Sequence, residues 1–497
     1  MHTQPRAWRR SLTGACLFVV ASCGSGEVGQ SEASTSTVGA STGGSSSSDP
    51  ADSTGVPTTG HGDSASMAAT DATTSNATTS STTSDTTNST TSSDATTSTT
   101  LTDTDDTTTG DLPVCGDGLV AGGEACDDGN DADADGCEHD CTWTPCTVLW
   151  QINAAEGSQS IGHGVLADSA GNVVVGGEAQ FGQPMLEARV WKYTPEGAPI
   201  WEAAPLGPIQ STAFALGLMP ADGLVVVGDR TDEAFVHPFQ ARLDGDGAVV
   251  WATENFAMNL AVRSVAVAPE GGVVIAANNI LTNTPLLAAL TPDGAVDWMI
   301  SEVPAGATSA GVLGVAIDPA GDIFLTGSAT FSTGRLWLER RTSAGAKVWT
   351  RAFAEPGKST HGLAIAIGSD GTLAIAGTLG LDGRVTTFEP VAGDLLWTHT
   401  LDSGLDEGLD WGRGVAIDAA GQVLMSGDVS LSPELDKNYY KGAFRRYTAD
   451  GELLCELILD VVPGTNTFLR GLTIDADGFP IVTGAVQSQL YVAKLTP

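Results

Sequence analysis

The chain has 497 residues, and its 60 acidic against 22 basic side chains give a formal net charge of −38 at pH 7. So negative a surface repels phosphate backbones, which argues against nucleic acid as a partner. The imbalance is spread along the chain: no Lys or Arg lies between Arg10 and Arg189, and residues from 147 onward still carry 39 acidic against 19 basic side chains.

Arg6, Arg9 and Arg10 precede an apolar core, Ala15 to Ala21, that is too short to span a membrane, which is the layout of an export signal. Val20-Ala21-Ser22-Cys23-Gly24 resembles a bacterial lipobox. The resemblance implies a lipoprotein signal peptide at 1–22, cleavage before Cys23 and a diacylglyceryl group on its sulfur. With an N-acyl chain, that is more than one lipid, enough for stable anchoring. The expected location is the cell envelope, at the outer membrane or surface of a Gram-negative bacterium, with the membrane as a partner through the anchor. An ordinary secretory signal with an incidental Cys23 is the other reading of these residues.

Residues 23–112 are almost entirely Ser, Thr, Ala, Gly and Asp. Too few large apolar side chains are present to offset the entropy of ordering, so a disordered linker is expected. Its Ser/Thr density fits an O-glycosylated stalk or an unmodified spacer.

Residues 113–146 are rich in cysteine: Cys115-Gly-Asp-Gly118, then Glu124-Ala-Cys126-Asp127-Asp128-Gly-Asn130, then Asp135-Gly136-Cys137 and Cys141. The pattern resembles the cysteine-rich repeat of myxobacterial surface proteins. A module this small cannot stand on a hydrophobic core, so disulfides are expected to hold it. Cys115, Cys126, Cys137 and Cys141 allow two bridges in three connectivities. Asp131, Asp133 and Asp135 before Gly136 have the alternation that opens a calcium loop, with Asp127 and Asp128 nearby. The twelfth loop position is Thr142 rather than a bidentate Glu, so calcium and a solvated acidic loop both remain open.

From residue 147 a sevenfold repeat takes over. An apolar run ends in Gly171, Gly223, Gly271, Gly321, Gly371, Gly421 or Gly478, and a glycine stands four residues before Trp201, Trp251, Trp298, Trp349 and Trp397, with Gly451 before Cys455 as the variant. Short β-branched runs joined by glycine turns are hairpin signals, and four of them per unit of about 50 residues predict an all-β, seven-bladed β-propeller. The last unit ends after three strands. The missing fourth is the segment around Trp150, so the N-terminal strand should close the ring. Cys146 stands where other units have their hairpin glycine. A monomer is expected. The segments Arg242-Leu-Asp-Gly-Asp-Gly-Ala-Val-Val-Trp251 and Lys192-Tyr-Thr-Pro-Glu-Gly197 resemble those of PQQ-like and related bacterial propellers, a resemblance that implies structural roles for Trp and Gly. A quinone enzyme of that group would have a vicinal cysteine pair, and the sequence contains none.

Counting eight residues back from each turn glycine gives His163, Ala215, Arg263, Leu313, Leu363, Arg413 and Arg470. If these share a ring at the channel mouth, three arginines and a histidine face one axis, suited to a small anion or a partner's acidic side chain. The competing reading pairs each Arg with an acid such as Asp410. The recurrent Asp168, Asp318, Asp418 and Asp475 precede tight turns and read as turn caps. Unit six has a long loop ending in Tyr439 and Tyr440, a candidate contact surface. Two functions stay open: a non-catalytic binding or scaffolding module for a protein or glycan, or a hydrolase or lyase acting on an extracellular polymer. Paired acids at the channel mouth would mark the enzyme.

Overall fold

A computed structural model describes residues 114–497 apart from 135, 155–157, 182–184, 208, 233–234, 255, 406–407 and 432–438. Cys23, the Ser/Thr-rich linker and Asp135 therefore lie outside the described residues. Among the described residues, twenty-eight strands form seven four-stranded antiparallel sheets. The first blade runs outward from the axis as Gln159–Ala167, Val173–Gln180, Glu187–Tyr193 and Pro199–Ala203. In the seventh, Val148–Ala154 pairs with Gln489–Leu495, placing Gln151 opposite Ala493 and Asn153 opposite Tyr491. The N-terminal strand closes the ring, as the strand count requires.

The second strands are unbroken apolar runs such as Val173-Val174-Val175 and Leu224-Val225-Val226-Val227 because both their faces are covered by neighbouring blades. Seven apolar clusters result, one at each blade junction. Phe239, Leu224 and Val226 of blade two, for instance, pack on Val174 and Val190 of blade one.

At the periphery each Trp of an outer strand lies on the 3–4 turn glycine of the next blade. A Cβ on Gly247 would sit 2.8 Å from Trp201, on Gly393 2.8 Å from Trp349, and on Gly451 2.8 Å from Trp397. Four of the indoles also donate to the same turns, among them Trp150 Nε1 to Pro195 O at 2.8 Å and Trp397 Nε1 to Ala449 O at 2.7 Å. The seventh such contact is a disulfide, Cys146–Cys455 with Cα atoms 6.2 Å apart. Outer-strand positions on neighbouring blades are thus close enough to bridge, provided one of them belongs to the turn.

The recurrent aspartates behave as turn caps. Asp168 Oδ1 accepts from the Ala170 and Asn172 amides at 2.9 Å, and Asp475 Oδ1 accepts from the Asp477 and Phe479 amides. Their second oxygens meet cations of the third strand: Lys192 on Asp168 at 2.8 Å, Arg446 on Asp418 at 2.9 Å and Lys494 on Asp475 at 2.7 Å.

In the cysteine-rich module, Cys126 and Cys137 form a bridge. The expected second bridge is not made, and Cys115 and Cys141 are thiols. The Cys115 Sγ–H donates to Glu138 O at 3.3 Å, and the Cys141 thiol lies against Cys115. The module rests on the last blade through Trp143 against Phe479, ring centroids 5.7 Å apart, and through Thr496 Oγ1, which donates to Thr144 O at 2.5 Å.

Candidate functional site

Every inner strand carries a β-bulge at the same place. The register against the second strand slips between Gly162 and Gly164, Ala213 and Ala215, Val262 and Ser264, Val312 and Gly314, Gly362 and Ala364, Gly412 and Gly414, and Leu469 and Gly471. The extra residue is His163, Phe214, Arg263, Leu313, Leu363, Arg413 or Arg470. A bulge re-aims the side chain it inserts, and these seven residues line an axial cavity of about 310 Å³. The second strand makes room for the bulge with glycine. A Cβ at Gly177, Gly228, Gly327, Gly377, Gly427 or Gly484 would stand 1.8–2.0 Å from a backbone oxygen of the inner strand.

The structure thus brings His163, Arg263, Arg413 and Arg470 together at the axis and corrects one member of the ring. In blade two the bulged residue is Phe214, and Ala215 is its neighbour. The tight turn there is built on Asp222, which takes the left-handed conformation at φ 58°, whereas Gly223 is extended at φ −67°. Counting from Gly223 therefore lands one residue too late.

Around the ring, blades six, seven, one, two and three contribute Arg413, Arg470, His163, Phe214 and Arg263 as one continuous arc, with Leu313 and Leu363 closing the circle. Phe214 bridges its neighbours: its ring centroid is 5.3 Å from that of His163 and 4.9 Å from the Arg263 guanidinium carbon. The Arg413 guanidinium carbon stands 5.0 Å from the centroid of the Trp411 ring.

A second layer lies behind the arc, made in blades one, two, three and six by the residue following the second-strand glycine or its equivalent. Asp229 Oδ1 accepts from Val262 N of the next blade at 2.9 Å, while its Oδ2 accepts from Arg263 Nη1 at 3.2 Å. Asp428 Oδ1 accepts from Leu469 N at 2.8 Å and its Oδ2 pairs with Arg413. Asn278 does the same work uncharged, bonding both Val312 N and Val312 O. Glu178 accepts from the Thr212 hydroxyl and faces His163 Nε2 at 3.6 Å, too far for a hydrogen bond, so that nitrogen is buried without one. The sequence reading missed this layer, although a polar residue directly after the second-strand glycine was its visible sign.

The acids that meet the arginines are thus Asp229 and Asp428. Asp410 instead accepts from the Ser403 and Ser430 amides at 2.6 and 2.7 Å. Burial pushes Asp229 up to about 6 despite Arg263. Burial lowers His163 despite the nearby Glu178, with Arg470 and Arg263 adding to the shift, so the imidazole is neutral at pH 7. Burial opposes the charged form of Glu178, yet the Thr212 hydroxyl and Arg470 help hold its carboxyl below the usual range.

The other candidates separate from the axis. Tyr440 opens the third strand of blade six, is buried against Phe468 at 5.4 Å, and is no surface contact, because the start of this strand is covered on both faces. Tyr439 keeps to the edge, where its hydroxyl accepts from Gly464 N at 3.0 Å and Lys441 Nζ lies 4.7 Å from its ring. In the module, Asp127 accepts from the amides of Asp117, Gly118 and Gly129, Asp128 accepts from Asn130, and Asp133 accepts from His139 Nδ1 at 2.7 Å. These carboxylates face turn amides, and among the described residues no three acidic, His or Cys side chains converge on a metal-sized site.

The profile of the family described as Domain of unknown function (DUF4215) matches residues 103–142, the cysteine-rich module. A search of the curated proteins finds no match. Among solved structures, the Dos1 propeller is 9% identical, with 70% of this chain and 95% of that chain covered at a TM-score of 0.44. Chaetomium thermophilum Sqt1 bound to the N-terminus of ribosomal protein L10 is 13% identical, covering 70% and 99% at 0.44. A catalytically inactive Staphylococcus aureus virginiamycin B lyase with quinupristin is 12% identical, covering 70% and 98% at 0.34.

Proposed function

We propose that the protein is a non-catalytic binding or scaffolding module, held at the cell envelope by lipid on Cys23 and presenting its propeller to a protein or glycan. The reading rests on one observation above the others: among the described residues, no Asp or Glu lines the axial cavity. Polymer hydrolysis or elimination needs a positioned acid and base able to reach substrate. Glu178, Asp229 and Asp428, the acids behind the arc, are held there by the next blade's backbone or hydroxyl groups. Fold alone does not choose between the classes, so the choice is made on these side chains.

The test uses the full chain as bait against envelope extract and against a polysaccharide panel. Retention of a defined protein or glycan with no change in the glycan is the expected result. Turnover of any polysaccharide in the panel overturns the reading in favour of a hydrolase or lyase. Metabolic labelling with palmitate, lost in Cys23→Ser, tests the anchor separately.

A further inference from the structure

We infer that the axial cavity is a binding site for a monocarboxylate with a compact apolar body, the carboxylate meeting the Arg263 side of the arc and the body lying toward Leu313 and Leu363. The inference rests on the binding-module reading and names the chemistry its central cavity would accept.

Charge and shape both point that way. Four blades give the ring a polar side chain, with the Phe214 ring set between His163 and Arg263, and Leu313 and Leu363 make one wholly apolar side, so its occupant should be polar at one end only. Arginine presents five donors in a planar fork matched to a carboxylate. Arg263 uses Nη1 for Asp229 and Val262 O, and its side chain is only 10% exposed, packed on Phe214. That packing and the ion pair fix its direction before any ligand arrives, which lowers the ordering cost of binding. His163 adds a neutral imidazole whose Nε2 has no hydrogen-bond partner. In the Nε2–H tautomer it can donate to an oxygen without bringing a charge.

Monoanions fit better than dianions. Three arginines face three acids, Glu178, Asp229 and Asp428, and His163 is neutral, so the site has little surplus positive charge to hold inorganic phosphate. The acids cannot take the ligand's place, because Asp229 and Asp428 are also bonded to backbone amides of the following blade. A volume of about 310 Å³ stands at the lower end of the range for small-molecule pockets, room for a carboxylate on one ring or a short chain.

Calorimetric titration of the full chain with phenylacetate is the test, with phenylacetamide and inorganic phosphate as comparators and a capped peptide containing one Glu as a fourth arm. Phenylacetate should bind at least tenfold tighter than its amide or phosphate. The peptide arm distinguishes a partner's acidic side chain from a free acid, and tighter peptide binding supports the site with the partner as its source. Two variants should abolish the signal: Arg263→Gln combined with Asp229→Asn, which replaces the ion pair by a neutral one, and Leu363→Trp, which fills the apolar side and leaves every charge in place. If the first variant does not fold, the second still decides. Equal binding of acid and amide, unchanged binding in Leu363→Trp, or no phenylacetate and no peptide binding overturns the assignment. Capture of a partner from envelope extract is a separate readout, so the two proposals fail independently.

Discussion

Cys455 is bonded to Cys146 at the one blade junction where both halves of the recurring contact are missing. Elsewhere a Trp lies on a left-handed glycine. Here Cys455 holds the Trp position and Cys146 the glycine position, and Cys146 keeps the glycine's conformation at φ 57°. Two apparent irregularities 309 residues apart are thus one substitution of a covalent contact for a stacking one. The bridge sits at the entrance of the closing strand, where it adds a covalent tie to the Val148–Ala154 pairing. Reduction should cost about 2–5 kcal/mol, read as a lower midpoint of chemical unfolding in dithiothreitol. The double variant Cys146→Gly with Cys455→Trp rebuilds the contact of the other six junctions and should lose the share of that sensitivity that comes from this bridge, leaving only Cys126–Cys137 to be reduced. If it unfolds as readily as the reduced wild type, the two contacts are not equivalent.

Much of this was legible because the repeat's glycines and tryptophans each have one physical task. The turn glycines mark left-handed residues, the tryptophans mark blade contacts, and together they give blade number and ring closure. The axial ring was legible in six blades for the same reason, since a fixed eight-residue distance separates the bulge from the left-handed turn residue. It failed in blade two because Asp222 does the turn's work and the adjacent Gly223 only resembles it. The acids behind the ring were not legible as partners. Whether an Arg meets Asp229 from the preceding blade or Asp428 from its own depends on tertiary geometry that no local spacing encodes.

Glycine at the 3–4 turns is constrained twice, by its backbone and by the indole above it. Gly247 has φ 84°, and an added Cβ would fall 2.8 Å from Trp201. Gly207 has φ 72° with nothing within 4 Å of the same added atom. Gly207→Ala should therefore lose only the conformational cost, about 1 kcal/mol. Gly247→Ala should add an overpacking cost of about 1–3 kcal/mol. Equal losses for the two in urea unfolding would mean the indole moves aside freely.

With Cys126 and Cys137 already joined, the remaining module cysteines have only each other. Burial, then the neighbouring Cys115 thiol, pushes the Cys141 thiol up to about 12. Thiolate is the attacking species in exchange, so the Cys115–Cys141 bridge should form slowly at neutral pH and faster as pH rises. Peptide mapping of fully oxidised protein should return Cys126–Cys137, Cys146–Cys455 and Cys115–Cys141. Recovery of Cys115 linked to Cys126 or Cys137 would refute the pairing.

Asp229 makes the interior of the ring sensitive to pH. Its folded pKa of about 6 lies above the ordinary 3.8, so between those values the folded state binds a proton that the unfolded chain has released. Where the native state holds more protons, stability falls as pH rises. The contribution of this group should therefore be neutral below about pH 4, decline through pH 6 and level off above it. A shift of about two units corresponds to about 3 kcal/mol. Asp229→Asn imitates Asn278, which braces the next blade from the equivalent position without a charge. The variant keeps an acceptor for Val262 N but loses the ion pair with Arg263. Because burial outweighs Arg263 in setting the direction of the shift, removing the charge should help more than losing the pair hurts. The difference in unfolding free energy between variant and wild type should grow in the variant's favour from pH 4 to pH 7. A difference that stays flat with pH would show that Asp229 is ionised throughout and that the Arg263 pair dominates its environment.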